Sequence, residues 1–171
     1  MIVWCSLAPQ VGSIVCGIPV LIRRGRGSTE RLPFWGLHPS VAWALGTTAR
    51  LQDGELVLDL FAGRAGLLCW LARSWPSCRY VGVDVDAAQL TAARANVEAF
   101  NFPPGQIELR MGDVKQLPFT DSIADVVISD LPFGRMYGTA RDNAILYPAA
   151  LRSMLQALRP GGRGVIMTGQ E

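Results

Sequence analysis

The sequence predicts an α/β protein built on a doubly wound, mostly parallel sheet. Three observations carry that prediction. Short apolar runs of strand length alternate with helical patterns from about residue 32 onward. Those runs are apolar throughout rather than alternating, as in strands covered on both faces. Most of them end in glycine or aspartate, where ligands meet the carboxyl ends of such a sheet. Right-handed crossovers then put helices on both faces.

The elements run in order along the chain. His38-Pro39-Ser40 opens a helix, VAWALGTTARL, which ends before Asp53-Gly54. Residues 56–60, LVLDL, form the first strand of the regular pattern, and the glycine-containing turn FAGRAG leads into GLLCWLARSW. There Leu67, Leu68, Leu71 and Trp75 share a helical face, and Pro76 stops the helix. Residues 80–85 are the second strand. Residues 87–100 are helical, with Asp86 as N-cap and Leu90, Ala93, Val97 and Phe100 facing inward. Residues 107–111 and 124–129 are the third and fourth strands. Residues 146–158 are a helix with Pro148 in its first turn and Leu151, Leu155 and Leu158 in register. Pro160-Gly161-Gly162 reads as a turn, and residues 163–168 as the fifth strand.

A chain of 171 residues suffices for one domain with a real core. The net charge of +2 gives no compositional argument for nucleic acid. Lys115 is the sole lysine, all other basic residues being arginine. Arginine forks suit phosphate, and a GC-rich gene gives the same bias. Cys5, Cys16, Cys69 and Cys78 have no CxxC spacing and His38 is the one histidine, so no metal site is expected and the cysteines read as thiols in a reducing compartment. Residues 1–22 carry no charge and precede Arg23-Arg24-Gly25-Arg26. Pro9, Gln10, Gly12, Ser13, Gly17 and Pro19 argue against a membrane anchor, and the charge comes after the apolar run, contrary to a signal peptide. A buried strand or a leader is expected instead.

The loops carry the chemistry. Asp59 to Gly66, DLFAGRAG, is a strand, a glycine turn and a helix start, which lets a ligand approach the backbone at Phe61 and Gly63 and use the helix N-terminus. An ordinary βα turn reads the same way. Asp84 comes about 20 residues later, where a carboxylate accepts ribose hydroxyls, and it serves equally as a solvated strand end. Asp113, after the third strand, is placed to meet an adenine amino group or simply to solvate a loop. The spacing is not GxGxxG, which disfavours a nicotinamide cofactor.

The stretch ISDLPFG decides the reaction class. An exocyclic base amine is a poor nucleophile, because its lone pair is delocalised into the ring. Asp130 can accept one N–H and the Leu131 carbonyl the other, while Pro132 fixes that carbonyl and Phe133 stacks on the base. Positioning and charge complementarity carry the rate. The bland alternative is a capped turn with Phe133 in the core.

These residues resemble class I S-adenosylmethionine-dependent methyltransferases with a Rossmann-like sheet. More narrowly, GLHPSVAWAL, LVLDLFAGRAG, YVGVDVD, DLPFG, RMYGTARDNAILYPAALRSM and GRGVIMTGQE resemble the catalytic domain of THUMP-domain-containing RNA guanine-N2 methyltransferases. The tRNA-modifying branch is the most similar, with a branch acting on a spliceosomal small nuclear RNA close behind. The resemblance implies methyl transfer to the 2-amino group of a guanosine in tRNA. It implies that Asp59, Phe61, Gly63, Asp84 and Asp113 hold S-adenosylmethionine, and that Asp130, Leu131, Pro132 and Phe133 hold the base. It also implies a small zinc-binding methyltransferase-activator subunit as partner, and a location in the cytoplasm or the nucleus.

Three departures from the family pattern set further expectations. The THUMP module that captures RNA is missing, so residues 1–31 are expected to be a leader and residues 32–171 a partial catalytic domain. The usual DPxxGxG loop has Ala65 at its second glycine and Arg64 before it, so a methyl either crowds the methionine moiety or demands a strained φ. The sheet is expected to be truncated after the fifth strand, leaving that strand as an exposed apolar edge. Adenine N6, a glutamine amide, or partner binding without turnover remain alternatives.

Overall fold

The structure, a computed structural model, describes residues 2–8, 11–16, 33–34, 36–117, 122–132 and 140–168. Among these residues, seven strands lie in one sheet: β1 (Ile2–Ala8), β2 (Val11–Cys16), β3 (Leu56–Asp59), β4 (Arg79–Asp84), β5 (Ile107–Met111), β6 (Ala124–Asp130) and β7 (Leu158–Met167). Four helices accompany them: α1 (Pro39–Ala49), α2 (Gly66–Ser74), α3 (Ala87–Ala99) and α4 (Ala140–Ala157). The strand order is β2-β1-β7-β6-β3-β4-β5. Strands β3 to β7 are mutually parallel, as their sequence pattern predicts.

Alternation along each strand splits the core into two layers. Val57, Tyr80, Val126, Ile128 and Val165 point to the face covered by α1, α2 and α3. Leu58, Leu60, Val81, Val83 and Val127 point to the face covered by α4. Gly82 lets α2 press onto the sheet, because a Cβ there would lie 2.7 Å from the Leu68 side chain and 2.8 Å from Ala62. No helix among the described residues is long and apolar enough to cross a membrane.

One expectation is sharpened and four are corrected. Within this N-terminal stretch, β1 and β2 form a hairpin with Ala8 facing Val11, in keeping with the strand expected as one of its two readings. Strand β7 is not an apolar edge, since β1 pairs with it antiparallel through Val3↔Ile166 and Trp4↔Val165. The runs IVWCSLA and VGSIVC are rich in β-formers, and pairing satisfies the N–H and C=O groups that a bare edge would leave open. Pro148 sits in the middle of α4, which begins at Ala140. The inward stripe of α4 is Ala150, Met154 and Ala157, while Leu151 and Leu155 face outward at 44% and 50% exposure. Both stripes have helical spacing and lie one residue apart, so periodicity alone could not choose between them. Finally, Pro160-Gly161-Gly162 is not a free turn but an irregular part of β7, where pairing with β6 jumps from Ala124↔Leu158 to Val126↔Arg163.

Candidate active site

The predicted site residues that lie in the described regions gather at the carboxyl ends of β3, β4, β5 and β6. Asp59 ends β3 and is 1% exposed. Its Oδ1 accepts the Phe61 N–H at 3.0 Å, shaping the turn from below. Burial pushes its carboxyl up to about 7, against the ionising pull of Phe61 N–H and the Ser129 hydroxyl, and the charges of Asp130 and Asp84 push the same way. Asp59 therefore reaches a ligand through the turn it holds rather than by direct contact.

Asp84 ends β4. Its Oδ2 accepts the Gly63 N–H at 2.7 Å and its Oδ1 the Asp86 N–H at 2.9 Å. The carboxylate thus ties the β3 loop to the start of α3, and each oxygen keeps a lone pair for a hydroxyl. Asp86 caps α3 through Ala88 N–H, as its position predicts. The N-terminus of α2 has no side-chain cap. Ala65 adopts φ 58, ψ 21, so the strained φ expected from the departure at that position is present. Asp113, after β5, is exposed and accepts the Lys115 N–H at 2.8 Å, closing a small turn.

Asp130 ends β6. Its Oδ1 is buried with no hydrogen-bond partner among the described residues. Burial pushes its carboxyl up to about 6. The Leu131 side chain is core at 4% exposure and its N–H donates to the Met167 carbonyl at 2.9 Å, so only its own carbonyl is left to serve a ligand. Pro132 comes next, and its carbonyl accepts the Tyr147 hydroxyl at 2.7 Å. Thr168 Oγ1 donates to the Tyr147 hydroxyl at 3.2 Å. Phe133 lies outside the described residues.

Tyr147 was missed as a site residue, although it stands within the LYPAALR motif that carries the resemblance. It braces the turn after Asp130 from α4. Asn96 was missed as well. Its signal was a carboxamide on the same helical face as Leu90, Ala93 and Val97.

The arrangement presents three carboxylates, Asp59, Asp84 and Asp130, and none pairs with a cation among the described residues. Asp84 and the half-buried Asp130 form an acidic rim that fits a cationic ligand such as a sulfonium, with Asp59 buried behind it. The uncapped helix N-terminus beside it fits that ligand's carboxylate, and Asp84 fits its ribose.

Residues 26–171 match the family described as RMKL-like, methyltransferase domain (UPF0020). The chain belongs to this family. Among curated relatives, it is 34% identical over 157 residues to the U6 snRNA (guanine-N(2))-methyltransferase THUMPD2 of Mus musculus, a match covering 92% of this chain and 29% of that protein. It is 27% identical over 143 residues to the tRNA (guanine(6)-N(2))-methyltransferase THUMP3 of Bos taurus, covering 77% of this chain and 28% of that one. The chain therefore spans under a third of the length of these relatives. The solved structure of TrmN from Thermus thermophilus is similar with a TM-score of 0.66 at 29% identity, covering 77% of this chain and 38% of that one. S-adenosylmethionine is the cofactor of this methyltransferase family, in keeping with the fit of the acidic rim.

Proposed function

We propose that this chain carries S-adenosylmethionine-dependent methyl transfer to the exocyclic 2-amino group of a guanosine in RNA. The single observation that carries the reading is the buried, unpartnered Oδ1 of Asp130, placed beside a turn that Tyr147 holds still. A buried acceptor without a partner is costly unless a ligand supplies the donor.

Bound at the β3 loop, the cofactor supplies an electrophilic methyl group. The chain's own residues do the rest. Asp84, held by the Gly63 amide, orients the ribose, and the α2 N-terminus receives the carboxylate. Asp113 serves the adenine amine. Asp130 accepts one N–H of the guanine amine and the Leu131 carbonyl the other, which aims the nitrogen lone pair. Phe133 stacks on the base. Asp130 is also the acceptor nearest the proton the amine must shed. Preorganised acceptors of this kind act without reorganisation during the step.

The RNA is a tRNA or a U6-type small nuclear RNA, and the higher identity to THUMPD2 favours the second. A small zinc-binding activator subunit is the proposed partner, and the cytoplasm or nucleus the proposed location. The test is methylation of unmodified tRNA and U6 RNA, with the product nucleosides identified by mass spectrometry. N2-methylguanosine that disappears with Asp130→Ala supports the reading. Methyladenosine in its place, or methylation that survives Asp130→Ala, would sink it.

A further inference from the structure

We infer that Asn96 is a positioning residue for the cofactor loop: its carboxamide pins the Arg64–Ala65 peptide and so keeps Ala65 in the left-handed conformation. The inference rests on the proposed cofactor reading of that loop and adds a residue on a different element.

Asn96 lies on α3 and has no solvent exposure. Its Oδ1 accepts the Phe34 N–H at 2.9 Å. Its Nδ2 donates to the Arg64 carbonyl at 2.8 Å and to the Phe34 carbonyl at 3.2 Å. The opposite amide orientation would set an oxygen against two carbonyls and an NH2 against an N–H, so the partners fix the assignment. One side chain thus joins α3, the segment before α1 and the loop after β3, across 62 and 32 residues of sequence.

The bond to Arg64 acts on the next residue, Ala65. Ala65 is fully buried with φ 58, a region that a Cβ resists. The Arg64 carbonyl and the Ala65 N–H belong to one peptide plane. The N–H donates to the Ala62 carbonyl at 2.7 Å, and the carbonyl accepts from Asn96. Both edges of the plane are held, so any relaxation of Ala65 toward negative φ that turns this plane breaks one of them. The same clamp seats the neighbouring segment on the α2 N-terminus, where a Cβ on Gly66 would lie 3.0 Å from Gly36 Cα and the Leu37 nitrogen. Glycine at 65 would need no such clamp.

That dependence makes the proposal testable. Asn96→Asp keeps the shape and removes both donors, and Asn96→Ser keeps a small polar group that cannot reach Arg64. In the ligand-free full chain, amide exchange at Ala65 should accelerate roughly thirtyfold in both variants relative to core amides such as Val83. Adding A65G should return exchange at that amide to within about threefold of the unsubstituted protein. Titration with S-adenosylhomocysteine should show about tenfold weaker binding in Asn96→Asp, mostly recovered with A65G. Exchange at 65 that tracks the core amides, or no recovery with A65G, would overturn the inference, because a merely structural Asn96 predicts uniform loosening. If the unsubstituted, folded chain binds no S-adenosylhomocysteine while exchange behaves as expected, the cofactor reading fails and the functional part of this inference falls with it.

Discussion

The two ends of the parallel sheet treat their acids in opposite ways. At the amino end, Glu55 meets Arg163, with Arg163 Nη1 and Nη2 2.8 and 2.7 Å from its two oxygens. Burial pushes Glu55 up, but the hydrogen bonds from Arg163 and Gln52 and the charges of Arg163 and Arg159 outweigh it, leaving its carboxyl below the usual value. Asp125 accepts the Leu56 N–H at 2.6 Å and lies 2.5 Å from Arg159. At the carboxyl end, Asp59 is buried and Asp130 half-buried, neither meets a cation among the described residues, and both carboxyls are pushed up. The amino end is finished, with its charges neutralised inside the chain. The carboxyl end leaves Asp59 and Asp130 without such partners among the described residues. Destabilised groups held by a rigid frame are the mark of a functional site.

Substitutions can break or sharpen this contrast. The largest effect is expected at Asp130. Asp130→Asn should lower methyl transfer by about 10²–10³-fold, in the range of losing one preorganised electrostatic partner, while S-adenosylhomocysteine binds within about threefold of normal. An equal loss in both measurements would make Asp130 a structural residue. The same carboxylate sets a pH limit. Its ionised form is the stronger acceptor and the one able to take the amine's proton, and its pKa is raised to about 6, so kcat/KM should fall about tenfold per unit below that pH. A profile flat to pH 5 would contradict the assignment.

Asp59 comes next, through stability. Its carboxyl is raised from 3.8 to about 7 on folding, so its favourable contribution is full below pH 3.8 and is lost as pH rises through about 7. Asp59→Asn keeps an acceptor for Phe61 and removes that loss. Urea denaturation should find the variant more stable at pH 8 by ~2–4 kcal/mol and nearly level with the parent at pH 4. A variant less stable at pH 8 would show that the ionised carboxylate is well solvated.

The finished end should respond in reverse. Arg163→Met strands Glu55 and should cost about 3 kcal/mol in denaturation with cofactor affinity unchanged. Altered affinity would show that the two ends are coupled. Smallest of all, Glu108→Gln breaks an exposed pair with Arg110 on β5, at 54% and 36% side-chain exposure, and should change stability by less than about 0.5 kcal/mol.

Much of this was legible in the sequence. The βα alternation gave the five parallel strands and the helices between them, because burial on two faces forces a pattern that local reading detects. The motif loops were legible because glycine, proline and aspartate mark strand ends. Asp86 was legible as a cap for the same reason. The α4 stripe was misread, since two adjacent stripes have the same period and only the sheet decides which is buried. Tyr147 was visible within a motif but not as a brace, since its partner Pro132 stands 15 residues away.

By itself, the sequence determined the order of the elements from α1 to β7 and the class of fold they make. Each of these derives from periodicity and turn residues within about 20 positions. Tertiary structure alone decided that the first residues pair with β7, that Asp59 is buried below its turn, and that Asn96 locks a loop 32 residues away. Those facts depend on which distant groups become neighbours, and a buried hydrogen bond leaves no trace in the local pattern of the residues that form it.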